Sequence, residues 1–211
     1  MNYMNILAVA ALLMFFLATT NTNDNRLDPV PAGCEATPLD LNTSIADPKS
    51  TGFSKIDEFN MSAKMFRSQT LGIADNALKL TVTSCQVNDP EIGEYTHREC
   101  FVGLDLQRTD DCAGAVRREG KGVVLERITK TLIDGTATLA LGENLVSQST
   151  QVSKSTMDEV KGNPVKLRNA RGAVNSMDET VVEVKKSMEA LRAAMKYAEG
   201  SKAALEMWDL Q

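Results

Sequence analysis

The chain has 211 residues, 43% of them apolar, 24% charged and 5% aromatic, with 23 Lys and Arg against 28 Asp and Glu for a net charge of −5. Ordinary apolar content with only 13 Gly and 6 Pro excludes wholesale disorder and a collagen-like fibre. A net acidic chain supplies no global field for DNA or RNA, so no nucleic-acid partner is expected.

Residues 6–18 are an uninterrupted apolar run of thirteen, bounded by Asn5 and by the polar stretch 19–23. Thirteen residues suit the apolar core of a secretory signal, whereas a membrane-crossing helix needs about 20. Residues 1–20 therefore read as a signal peptide. A retained N-terminal membrane anchor is the alternative, because no Lys or Arg precedes the run and Ala18-Thr19-Thr20 meets the small-residue cleavage rule only loosely. Either fate places residues 21–211 outside the cytosol, secreted or on an extracytoplasmic membrane surface.

All four cysteines, Cys34, Cys85, Cys100 and Cys112, follow the leader. In an exported chain an even count reads as two disulfides, with three connectivities open. Zinc is the weaker reading, since there is no C-x-x-C pair and His97 is the one histidine. Two sequons, at Asn42 and Asn60, are glycosylation candidates where the source glycosylates.

Residues 21–76 open with seven acids against three bases up to residue 60, and with Pro29, Pro31, Pro38 and Pro48. That mix predicts an extended acidic strap, with one or two short helical turns over 53–76. Residues 77–133 then read as a cysteine-containing meander. Leu78, Leu80 and Val82 alternate with polar residues, predicting a strand over 77–87. A second alternating run covers 94–107, and a third strand is expected over 122–131, where a helix is the competing reading.

Residues 134–211 carry no cysteine and read as a helical hairpin. A helix with a thin apolar face (Leu139, Leu141, Leu145, Val146, Val152) is expected over 137–161, ended by Gly162-Asn163-Pro164. Beyond that turn the pattern is strongest. Leu167, Val174, Val181, Met188 and Met195 occupy heptad position a, and Ala170, Met177, Val184, Leu191 and Ala198 position d, with Lys202 breaking the register before Leu205. Position g (Ala173, Thr180, Ser187, Ala194, Ser201) is uncharged, which widens the apolar face and favours packing within a bundle or hairpin over a two-stranded zipper. Self-association as a coiled coil is the alternative. An upstream helix shorter than its partner would leave Met188, Met195, Met207 and Trp208 overhanging as a partner surface.

The fold class expected is thus α+β: a small disulfide-braced antiparallel meander followed by a helical hairpin with a long coiled-coil-like helix. Chemistry is sparse. No nucleophile elbow, zinc-protease motif, phosphate-binding loop or dinucleotide fingerprint occurs, and His97 with Glu99 on a strand is expected to meet solvent. No catalytic residue, metal site or cofactor is expected. The helix residues Val174, Met177, Val181, Val184, Met188, Leu191, Met195, Leu205 and Trp208 are the candidate interface to a protein partner or a second copy. Lys161, Lys166, Arg168 and Arg171 place four cations and no anion in eleven residues, a patch suited to an anion or an acidic partner.

Overall fold

The computed structural model describes residues 28–39, 41 and 45–210. The leader and Asn42 lie outside the described residues. Among those described, the elements in chain order are α1 (Ser54–Leu78), β1 (Thr81–Asp89), β2 (Gly93–Val102), β3 (Gln107–Arg108), α2 (Cys112–Glu119), α3 (Lys121–Glu159) and α4 (Pro164–Glu206). The strands form one antiparallel sheet in the order β1-β2-β3. The fold is α+β, with disulfide-braced strands and a C-terminal helical hairpin.

The helices α1, α3 and α4 make a three-helix bundle. Lys55 pairs with Glu159, and Phe66 lies over Gly142, so α1 runs antiparallel to α3. Met195 lies over Gly135 and Met188 over Gly142, so α3 and α4 are antiparallel as well. At 1.5 Å per residue, α3 and α4 span about 60 Å while α1 covers little more than half of that. One core cluster, with Ile56, Phe66, Met177 and Val184, fills the middle of the bundle; a second, with Leu78, Val124, Ile128 and Leu205, joins bundle to sheet.

Helix α3 explains how three helices approach so closely. Its buried positions are Val124, Ile128, Thr131, Gly135, Thr138, Gly142, Ser149 and Thr156, a heptad seam made largely of small and hydroxylated residues. Leu141, counted in the expected apolar face, is 50% exposed. The neighbours are bulky where the seam is small: a methyl group at Gly142 would sit 2.7 Å from Phe66 Cζ and 2.9 Å from Met188 Cγ.

Three expectations are corrected by these elements. Residues 53–76 are no pair of short turns; they belong to the 25-residue helix α1, whose first turn is anchored by Asp57 accepting bonds from Thr51 N and Ser50 Oγ, each 2.7 Å. The first strand begins at Thr81, after that helix. The third strand expected over 122–131 is the start of α3: its β-branched residues favour a strand intrinsically, but Val124, Ile128 and Thr131 repeat at helical spacing and close the core. Gly120, at φ +89°, lets the chain turn directly from α2 into α3, a conformation costly for any residue with a Cβ.

The sheet docks on the bundle through its edge. Val82 N donates to Ser201 Oγ at 2.9 Å, which satisfies a strand-edge amide that would otherwise be buried unpaired. The opposite face of the sheet is covered by the strap: Cys34 bonds to Cys85, and Thr83 Oγ1 donates to Cys34 O at 2.8 Å. The second bridge, Cys100–Cys112, ties β2 to the start of α2. Closing loops of 51 and 12 residues, the bridges contribute about 4 and about 3 kcal/mol by loop entropy.

Glycine substitutions test the seam. Gly142→Ala is expected to destabilise the fold by about 1–3 kcal/mol, since overpacking outweighs the gain in helix propensity. Gly200→Ala, in α4 with nothing within 4 Å of its added methyl, is expected to stabilise by up to about 1 kcal/mol. Denaturant unfolding of both variants checks the pair, and equal signs would refute the seam.

Candidate functional site

A group of polar side chains surrounds Glu99 on β2. Register places Glu99 opposite Thr83 and His97 opposite Cys85, on the face that the strap covers. Glu99 is therefore buried, only 4% exposed, and the expectation that His97 and Glu99 simply meet solvent is corrected. Arg108 on β3 grips it with both arms of its guanidinium, Nε to Oε2 at 2.7 Å and Nη2 to Oε1 at 2.5 Å. His97 Nε2 lies 2.7 Å from Oε1, and Arg108 Nη1 also donates to Asp28 O in the strap. Burial disfavours the charged carboxylate, but the bonds from Arg108 and His97 outweigh it and hold the carboxyl below its ordinary range. This is a clamp between strap and sheet. Both carboxylate oxygens are committed to these bonds.

The four cysteines all stand in disulfides, which leaves no free thiol, and among the described residues no group of three or more His, Cys, Asp or Glu could hold a metal ion. Two intramolecular disulfides are the bonding expected of an oxidising, extracytoplasmic compartment. Among the described residues no helix is long and apolar enough to cross a membrane. Asn60 is 5% exposed inside α1, with its side chain among core residues. A glycan on that amide has no room in this fold, so the second sequon is corrected.

The candidate interface of α4 lies inside the molecule. Met177, Val184, Leu191 and Leu205 are fully buried and Met188 is 5% exposed; Met177, Val184, Met188 and Leu205 pack within the two cores. Val174, Val181 and Met195 are half-buried against the same clusters or over Gly135. The expected overhang near Met195 and Trp208 is absent, because α3 begins at Lys121 and pairs with α4 to its end. Trp208 is half-buried, stacked under Arg98 at 5.1 Å, and its carbonyl accepts from Lys121 Nζ at 2.7 Å. Only Met207, 71% exposed, is left open there.

The overhang is at the other end. Helix α1 starts at Ser54, level with Glu159, so the α3–α4 turn and the first two turns of α4 extend past it. Asn163 caps α4, its side chain accepting from Lys166 N at 3.0 Å, with Pro164 at the first helical position. Lys161, Lys166, Arg168 and Arg171 are all exposed at this tip, and none forms an ion pair with a described residue. Cations are disfavoured at the start of α4, yet the carbonyl end of α3 shares the tip and supplies the opposite field. Val165 stands 66% exposed among them. Among the described residues of the acidic strap none pairs with this cluster: Asp47 pairs with Lys64, and Cys34 and Thr37 are fixed to β1 and to Tyr197.

Compared with known protein families, curated protein sequences and solved structures, the chain matches none.

The clamp predicts a pH dependence. Because the folded Glu99 carboxyl titrates below its unfolded value, its contribution is complete above the ordinary glutamate range, about pH 4.3, and is lost as pH falls through the lower folded value. Glu99→Gln is expected to cost about 1–3 kcal/mol near neutral pH. That deficit should shrink as the pH is lowered, measured by thermal unfolding across a pH series; a deficit constant down to about pH 2 would refute the clamp.

Proposed function

We propose that this protein is a non-enzymatic, extracytoplasmic interaction protein that meets its partners through the ends of a rigid helical rod. The observation that carries this reading is the contrast between the two halves of α4. Its long apolar seam is used up internally, whereas its first turns and the turn before them project beyond the bundle and present four unpaired cations around an exposed Val165. Exposed charge held on a rigid support is the usual substrate of recognition, and a seam already filled is not.

The chemistry described above supports the non-enzymatic reading. The one histidine is tied to a carboxylate that Arg108 already saturates. A groove of about 780 Å³ between α1 and α4, bordered by Arg67, Thr70, Glu183 and Lys186, contains no histidine or cysteine. Its Arg67–Glu183 pair, 3.6 Å apart, braces the two helices.

A second reading keeps residues 1–20 as a membrane anchor, which makes the chain an accessory subunit of a larger assembly. It is favoured by the position of the strap. Asp28, where the described residues begin, is fixed to the sheet by Arg108, at the end of the molecule opposite the basic tip. An anchored rod would then hold that tip about 60 Å or more from the membrane.

Intact mass of the protein from its native source, before and after reduction and alkylation, tests both readings. Four thiols appearing only after reduction are expected. Loss of the leader supports secretion, and its retention supports the anchor. Free thiols in the native protein would overturn the extracytoplasmic reading. His97→Ala is expected to leave biological activity intact, and loss of activity with unchanged folding would overturn the non-enzymatic one.

A further inference from the structure

The basic tip has a counterpart at the opposite pole. Strand β1 runs alongside the end of α4: Val82 meets Ser201, and Ser84 and Gln86 lie by Met207. The hairpin therefore continues in the direction of α4 and carries the β1–β2 turn past the helix terminus. That turn holds Asp89, Glu91 and Glu94, and no Lys or Arg occurs anywhere in residues 80–97. Asp89 shapes it, accepting from Glu91 N at 2.8 Å and Ile92 N at 3.1 Å. Glu91 and Glu94 are exposed and form no ion pair with a described residue. Ile92, between them, is 72% exposed.

The two poles are opposite in net charge, with the exposed Asp158 beside the basic one. Residues 160–177 carry four cations and no acid around exposed Val165; residues 80–97 carry three acids and no Lys or Arg around exposed Ile92. A β-branched side chain ringed by unpaired charge of one sign is complementary to the same arrangement with the sign reversed. Neither pole can satisfy the other within one molecule, because the length of the bundle separates them.

We infer that the basic hairpin tip of one copy docks on the acidic β1–β2 turn of a second copy, so that the protein associates head to tail. This rests on the reading that the rod ends are the contact surfaces. The contact is heterologous, so a docked pair keeps one free pole of each sign and the association extends as an open chain instead of closing into a dimer. Both poles are small beside the roughly 800 Å² per partner of a stable interface, so the association is weak and governed by screening.

The test is the solution molar mass against protein concentration, by sedimentation, in about 0.01 M and about 1 M salt, where the screening length falls from about 30 Å to about 3 Å. The intact disulfide-bonded protein is expected to grow with concentration at low salt and to be monomeric at high salt. A tip variant, Lys161→Glu with Arg168→Glu and Arg171→Glu, and a turn variant, Glu91→Lys with Glu94→Lys, each place like charges at both poles. Each is expected to associate at least about tenfold more weakly than wild type. Mixing the two restores opposite poles and is expected to restore association. All five positions are exposed, and unchanged melting temperatures would show that the variants fold.

Association that persists in the tip variant would overturn the inference, because the contact would lie elsewhere. Wild-type protein that stays monomeric at low salt would overturn it too. If that monomer binds vesicles of phosphatidylcholine with phosphatidylglycerol and the tip variant does not, the tip serves an anionic surface. The reading of the rod ends as contact surfaces then survives. If it binds neither vesicles nor its own kind, that reading falls with the inference.

Discussion

The close approach of α3 to its two neighbours is the constraint on which the rest of the molecule depends. Two helices can lie near each other over 40 residues with ordinary side chains, but a third helix in the groove needs one surface with little volume. Gly135, Thr138 and Gly142 supply it, and Phe66, Met188 and Met195 fill the space that their missing side chains leave. Interiors tolerate neither voids nor overlap, so small and large positions must alternate across the interface. The pairing also sets the register: with Phe66 over Gly142 and Met195 over Gly135, the levels of all three helices are fixed. From that register follows which end of the α3–α4 hairpin overhangs.

The head of the molecule solves a different problem. A three-stranded sheet with a two-residue outer strand has little core of its own, and such sheets need external support. Support comes from both sides. Ser201 and the last turns of α4 hold one edge and face, while the strap, fixed by Cys34–Cys85 and by Arg108 to Asp28, covers the other. Burying Glu99 between them is tolerable only because the fork of Arg108 and the ring of His97 meet its charge. Glu99, Arg108 and His97 thereby join the strap to the sheet.

Charge is distributed along the rod instead of around it. The middle of the bundle carries mixed pairs such as Arg67–Glu183 and Arg192–Glu143, which cancel locally. The ends do not cancel, and their signs differ. Net charge alone, −5 over the whole chain, conceals this separation. Screening confines such fields to about 8–10 Å at moderate salt, so each pole acts as a local contact feature and not as a long-range field.

The sequence by itself determined the elements that depend on local period and chemistry. The heptads of α4 read directly as a helix, Gly162-Asn163-Pro164 as its preceding turn, the alternation around Val82 and Cys100 as strands, and the even cysteines as bridges, because each signal is carried by neighbours within a turn or a strand. It did not reveal α1 as a full helix, since its apolar residues Ile56, Phe59, Phe66 and Ile73 are sparse and gain their burial only from the other two helices. Nor did it identify the buried face of α3, where threonine, serine and glycine look like surface until bulky partners are placed against them. The basic cluster was legible as charge, but its exposure at a protruding tip was not, and Glu91, Ile92 and Glu94 carried no signal at all. Only the tertiary structure decided those points. Burial, overhang and polarity along the rod are relations between segments far apart in the chain, and they exist only once packing has fixed the levels of the helices.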